Sequence, residues 1–193
     1  MSFDPAAFRA YVRTILDDHA RAFGVPDDRH TILRRQIEGG DDIHSRRTYP
    51  GHVTTSAFIL DRAGRRILLI HHRSLGRWLQ PGGHYEPPDD LAGSALREAM
   101  EETGLHGLVV DPWHEASLVP IDIDSHRIPA RPERDEPEHW HHDMRYVVRV
   151  LESDVIRPDL REVHGAEWRN LRDLESIAPQ ALRNMRKLGL VRL

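Results

Sequence analysis

Apolar residues recur at helical spacing near the start of the chain and at strand-like spacing through its middle. That pattern predicts helices flanking a strand-rich centre. Asp4-Pro5 reads as an N-cap followed by a first-turn proline, and Phe8, Tyr11, Val12, Ile15 and His19 make one stripe before Gly24-Val25-Pro26 ends the helix. A second helix over 28–38 carries Ile32, Leu33 and Ile37 and stops at Gly39-Gly40. Two amphipathic stripes need cover, either on the main domain or on a second copy of the chain as a homodimer, and the pattern leaves both open. Residues 1–50 therefore read as an N-terminal helical extension.

The centre begins with a strand over 52–60, a turn at Asp61-Arg62-Ala63-Gly64 and a returning strand over 66–71, which together predict a hairpin. Segments 105–110 and 114–124 read as two further strands, and 125–137, rich in Pro and charge, as a long loop of the kind that forms lids or binding loops. The strand predicted over 138–150 alternates. His139, His141, Asp143 and Arg145 share one face, and Trp140, His142, Met144 and Tyr146 share the other. The His-x-His-x-Asp face has three readings: a transition-metal site, a pocket lining that bonds phosphate or sugar, or a polar surface turned to solvent. A last helix from Pro179, with Leu182, Met185 and Leu188 or Leu190 as its buried stripe, closes the chain.

Composition narrows the chemistry. With 39% hydrophobic and 30% charged residues the chain has the make-up of a globular domain with a proper core. There is no cysteine, which excludes thiol nucleophiles, thiolate zinc sites and a disulfide framework. Lys187 is the sole lysine, so no lysine-based phosphate loop or Schiff base sits in the central region. The net charge of −4 argues against a general nucleic-acid scaffold. With neither a signal-peptide pattern nor an apolar run long enough for a bilayer, the expected setting is the cytoplasm, without a membrane partner.

The densest chemistry lies in 81–105, PGGHYEPPDDLAGSALREAMEETGL. A glycine turn leads through a Pro/Asp segment into a helix that Asp89 and Asp90 can cap and Gly104 can end. Glu98, Glu101 and Glu102 fall at i, i+3 and i+4 on one helical face. Three carboxylates on one turn repel one another unless a cation sits between them, and hard divalent ions such as Mg2+ take oxygen ligands of this kind. Arg97 stands beside them with a guanidinium that can hold a carboxylate through a forked bond.

This stretch resembles the Nudix box, G-x5-E-x7-R-E-U-x-E-E-x-G-U, from Gly83 through Arg97-Glu98-Ala99-Met100-Glu101-Glu102-Thr103-Gly104-Leu105. Two positions depart: Asp89 replaces the first Glu, which puts that residue's salt-bridge or capping role in question, and Ala99 replaces a larger aliphatic. The preceding Trp78-x-x-Pro81-Gly82-Gly83 is similar to the strand that leads into the box in the same family. The resemblance implies an α/β fold, a Nudix-type α/β/α sandwich around a central mixed sheet, over 51–193. It implies Mg2+ (or Mn2+) held by the Gly82 carbonyl, Glu98, Glu101 and Glu102, with Arg97, Glu101 and Glu102 in the catalytic set. The substrate implied is a small nucleotide: a nucleotide sugar such as ADP-ribose, a nucleoside triphosphate, or a dinucleoside polyphosphate. Arg73, Arg77, Glu86, Glu136 and His141 are candidates for contacting it. Arg73 and Arg77 read equally as solvent-facing strand ends, and Glu136 or Glu138 is a candidate last ligand or base. A non-catalytic nucleotide-binding or regulatory domain is the alternative. The isomerase branch that resembles a Cys/Glu pair is excluded by the lack of cysteine.

Overall fold

Ten consecutive buried residues make β1 (Gly51–Leu60) the centre of the molecule in this computed structural model, which describes residues 3–73, 75–161 and 163–191. Such a run arises where a strand is covered on both faces, so alternation gives way to continuous burial. β1 pairs in parallel with β7 (His139–Val150) and antiparallel with β2 (Arg66–His72) and β4 (Gly82–His84). β2 carries β3 (Arg77–Leu79) and β8 (Val163–Asn170), and β7 carries β5 (Leu108–Val110) and β6 (Asp122–Ile128). The result is the expected mixed sheet, eight-stranded and layered between helices.

One face is covered by α1 (Pro5–Phe23), α2 (Thr31–Gly39) and α3 (Leu91–Thr103), whose buried side chains join Val53, Ala57, Ile59, Tyr146 and Val148 in one core. α5 (Leu174–Ile177) and α6 (Pro179–Lys187) cover Phe58, Leu60, Ile67, Leu69 and Val147 on the other face. The N-terminal stripe thus finds its cover on the domain itself. Phe8, Val12, Ile15 and Leu16 are buried there, each worth about 1.5–3 kcal/mol relative to exposure. Phe8 stacks on Tyr85 at 4.6 Å between ring centroids, and Tyr85 donates to the Asp89 carbonyl, so α1 braces the segment leading into α3. Gln36 of α2 donates to the Gly51 carbonyl and its Oε1 meets His142 Nε2 at 3.0 Å, which fastens the entrance of β1 to β7.

Two expectations fail. The strand predicted over 114–124 is instead α4 (Pro112–Ser117), because Asp111-Pro112 is a helix start. The Asp111 side chain accepts from Trp113 N–H and the proline fits the first helical position. Leu118, at φ 57°, ends that helix. The long loop predicted from residue 125 is shorter than expected, because β6 continues through Ile128 in register with β7 and ends at Ile128↔His139. The last two residues of the expected 51–193 domain lie outside the described ones. Among the described residues no helix is long and apolar enough to cross a membrane.

Buried histidines give the fold a pH dependence. Burial pushes His19 down to about 3, and His30 and His114 down to about 4. The unfolded chain therefore binds more protons than the folded one between pH 6.5 and these lowered values, and stability falls as pH falls through that window. Each such histidine contributes at most about 2 kcal/mol of the loss at pH 5. Urea unfolding at pH 7.5 and 5 is expected to show the drop, and the pair His19→Leu with His30→Leu to reduce it. An equal slope in that double variant would exclude these residues as the cause.

Candidate active site

The helix that carries the acidic face is built as its sequence dictates. Asp90 is the N-cap, accepting from Gly93 N–H at 2.6 Å, and Gly104 ends α3 at φ 63°. Asp89 turns instead to Arg97, with Oδ2 3.3 Å from Nε, so the shorter acid still reaches the arginine. Arg97 Nη1 also holds Glu98 Oε1 at 2.9 Å and Glu101 Oε2 at 3.1 Å. One guanidinium thus orients three carboxylates, which is work for its fixed fork of donors.

Glu98 and Glu102 meet β4. Glu102 is 5% exposed, and its Oε2 accepts from Gly82 N–H at 2.9 Å. Gly83 lies against Glu98, where a Cβ would come within 2.5 Å of the carboxylate carbon. Gly82 points the other way, where a Cβ would come within 2.5 Å of Ser56 Cβ and of the Thr55 carbonyl. The two glycines let the strand lie flush against the helix on one side and the sheet on the other. Burial pushes the Glu98 carboxyl up to about 7, with Glu101 adding to the rise and Arg97 opposing it. Glu101 is the exposed member of the set.

The same close approach yields a test. Gly83→Ala puts its methyl against the flexible end of Glu98, so the fold can yield by moving that carboxylate. Turnover is expected to drop about 100-fold, the order produced by ångström-scale misplacement, while the melting temperature stays within a few degrees. Unchanged turnover would mean that the position of Glu98 does not matter.

The remaining predicted residues divide. Arg73 spends its guanidinium on the carbonyls of Leu160 and Arg161, at 3.0 and 3.2 Å. Arg77 is exposed at the start of β3, and Glu86 is exposed just past β4. Glu136 is half-buried 3.4 Å from Arg46, and Glu138 pairs with Arg127 at 3.2 Å. Trp78 packs partly into the core against His71, with Arg169 over its ring at 5.1 Å.

His141 belongs to a polar floor on the face of β1, β4 and β7 opposite α3. Register places His52 beside His141, Thr54 beside Asp143 and also opposite His84, and Ser56 beside Arg145. The reading of a solvent-turned surface fails here, because His52, His139, Asp143 and Arg145 are all buried. Burial, helped by neighbouring imidazoles at His52 and His141 and by the Arg46 guanidinium at His84, holds His52 and His84 down to about 4 and His141 to about 2. His52 and His84 did not stand out in the sequence. The signal was their period-two position on strands whose pairing partners were unknown.

Comparison with known proteins bears on this arrangement. The family model of the NUDIX domain matches residues 50–188. The chain belongs to that family. A human relative, m7GpppN-mRNA hydrolase NUDT17, is 29% identical over 123 residues, 58% of this chain and 36% of the relative, so the chain spans well under half its length. Human nucleoside diphosphate-linked moiety X motif 6 is 37% identical over 60 residues, covering 30% of this chain and 19% of that one. Among solved structures, a C. elegans Ap4A hydrolase binary complex superposes with a TM-score of 0.52 at 18% identity, over 72% of this chain and 97% of that chain. The E. coli dihydroneopterin triphosphate pyrophosphohydrolase gives 0.50 at 12% identity, over 72% and 94%. At these identities the likeness is one of fold.

The residues present fit the divalent ion that a NUDIX domain implies. Glu98 and Glu102 offer oxygen donors on adjacent turns of one helix, beside the backbone of β4, and oxygen donors are what a hard cation takes. The half-buried Glu98 carboxyl, raised as it is, is a group that such a cation would hold ionised.

Proposed function

We propose that this NUDIX domain hydrolyses a phosphoanhydride bond in a nucleoside diphosphate linked to another moiety. The observation that carries the reading is the meeting of Glu98 and Glu102 with the Gly82-Gly83 strand, under the forked hold of Arg97. Glu98, Glu102 and the Gly82 carbonyl would hold Mg2+ or Mn2+, with Glu101 next to them. When bound, the ion neutralises phosphate oxygens and lowers the pKa of a water. Arg97 keeps the carboxylates apart and aimed. Glu101, exposed at the rim of the helix, is assigned as the base that takes a proton from the attacking water. Arg77, Glu86 and Glu136 are assigned to the rest of the nucleotide.

The retention of Glu98, Glu101 and Glu102 favours turnover over a purely binding role. The test is a panel of ADP-ribose and other nucleotide sugars, nucleoside triphosphates and dinucleoside polyphosphates with Mg2+ or Mn2+. Phosphate, pyrophosphate and nucleoside monophosphate release are read separately. Release from one class supports the proposal and names the substrate. Tight nucleotide binding with no release from any class would replace it with the binding-domain reading.

A further inference from the structure

The polar floor holds a second set of ligands that the proposed hydrolysis does not use. His52 from β1, His84 from β4 and His141 from β7 each direct a ring nitrogen to one place, with these atoms all within 4.8 Å of one another. Among the described residues, no other group of three or more His, Asp or Glu side chains reaches that spacing; the box carboxylates do not.

The hydrogen bonds of His52 and His139 fix which of their ring nitrogens carries the lone pair. A backbone carbonyl only accepts, so His52 Nδ1, 3.4 Å from the Thr48 carbonyl, carries the proton and Nε2 carries the lone pair. That Nε2 is buried and finds no hydrogen-bond partner. His139 has the same arrangement, with Nδ1 donating to the Pro137 carbonyl at 2.8 Å and Nε2 facing His141 Nε2 at 3.2 Å. A carbonyl on one ring nitrogen that turns the other inward is how proteins orient metal-binding imidazoles.

We propose that His52, His84 and His141 form a binding site for a borderline transition-metal ion of the Zn2+ kind, with His139 at its rim. Imidazole donors suit Zn2+ and its neighbours, whereas Mg2+ prefers oxygen, so this site and the acidic helix select different ions. Zn–N bonds of about 2.0–2.1 Å in a tetrahedron place donors about 3.3 Å apart. The His139–His141 separation already has that value, and the ring nitrogens of His52, His84 and His141 lie within 4.8 Å of one another. The ion ties β1, β4 and β7 at His84, two residues from Gly82. It thus acts as a staple on the strand that the acidic helix leans against. The site stands whether or not the proposed hydrolysis does, because its donors are separate.

The test uses the full chain stripped with chelator and dialysed against Zn2+ in excess Mg2+, with bound metal counted by mass spectrometry. One Zn2+ per chain is expected to remain, and Co2+ in its place is expected to give the absorption bands of a tetrahedral nitrogen site. His84→Ala and His141→Ala, both at half-buried positions, are each expected to weaken Zn2+ binding about 100-fold or more. The double variant Glu98→Gln with Glu102→Gln is expected to bind it like the parent. In the parent itself, one equivalent of Zn2+ is expected to shift the imidazole nitrogen resonances of His52, His84 and His141, a readout that depends on no variant folding. Unshifted resonances, equal retention in the histidine variants, or loss of Zn2+ in the glutamate variant instead would each overturn the proposal.

Discussion

Glu102→Gln is expected to lower turnover about 10³-fold while leaving the fold in place. The two halves of that expectation have separate causes. Structurally, Glu102 is buried and its Oε2 accepts from Gly82 N–H at 2.9 Å. A glutamine of the same shape still offers a carbonyl oxygen to that N–H, so the contact between helix and strand survives. Chemically, the substitution removes a full negative charge from a donor set assigned to a divalent ion. A metal ion supplies several kcal/mol of charge stabilisation to a phosphoryl reaction, and each 1.36 kcal/mol is a factor of ten in rate. Steady-state kinetics in saturating Mg2+, with a melting curve on the same sample, checks both halves. Parent-like turnover in that variant would sink the assignment of the ion to this helix.

How much of this was legible in the sequence follows from how local each feature is. The acidic face of α3 needs only helical spacing and two caps, all within one stretch, and the structure has the cap at Asp90 and the stop at Gly104. The N-terminal stripe was equally legible, although where it packs is a long-range matter that its spacing does not encode. α4 was misread because the apolar residues of 114–124 outweighed the Asp-Pro start just before them. The histidine cluster was half visible. His139 and His141 announce themselves by alternation, while His52 and His84 join them only through the parallel pairing of β1 with β7 and the antiparallel pairing of β1 with β4. Strand pairing across the chain is set by the whole fold, and a period-two pattern gives the face of a residue without its neighbours.

Arg145→Met is expected to be the most destabilising single change in the polar floor, by about 3–5 kcal/mol at neutral pH, the usual cost of removing one partner from a buried ion pair. Arg145 is 8% exposed and reaches Asp143 at 3.0 Å, Asp122 at 3.1 Å and Asp124 at 2.8 Å. Asp122 and Asp143 are themselves buried, and Ser56 and Gln80 add donors to Asp143 but no charge. Burial already pushes the Asp122 carboxyl up to about 6 against the pull of Arg145 and Arg29. Without Arg145 the Asp122 carboxyl rises further above its unfolded value near 3.8, so the folded variant binds more protons than the unfolded chain in that window. Its stability must then recover as pH falls, the reverse of the histidine effect in the parent. For a chain of this size the neutral-pH loss corresponds to roughly 6–20 °C in melting temperature. Adding Asp122→Asn and Asp143→Asn to Arg145→Met is expected to restore part of it, because the cost lies in the stranded charges rather than in the missing cation. A single variant melting within about 2 °C of the parent at pH 7.5, with no recovery toward pH 5, would show that water reaches these carboxylates and that the network holds little of the fold.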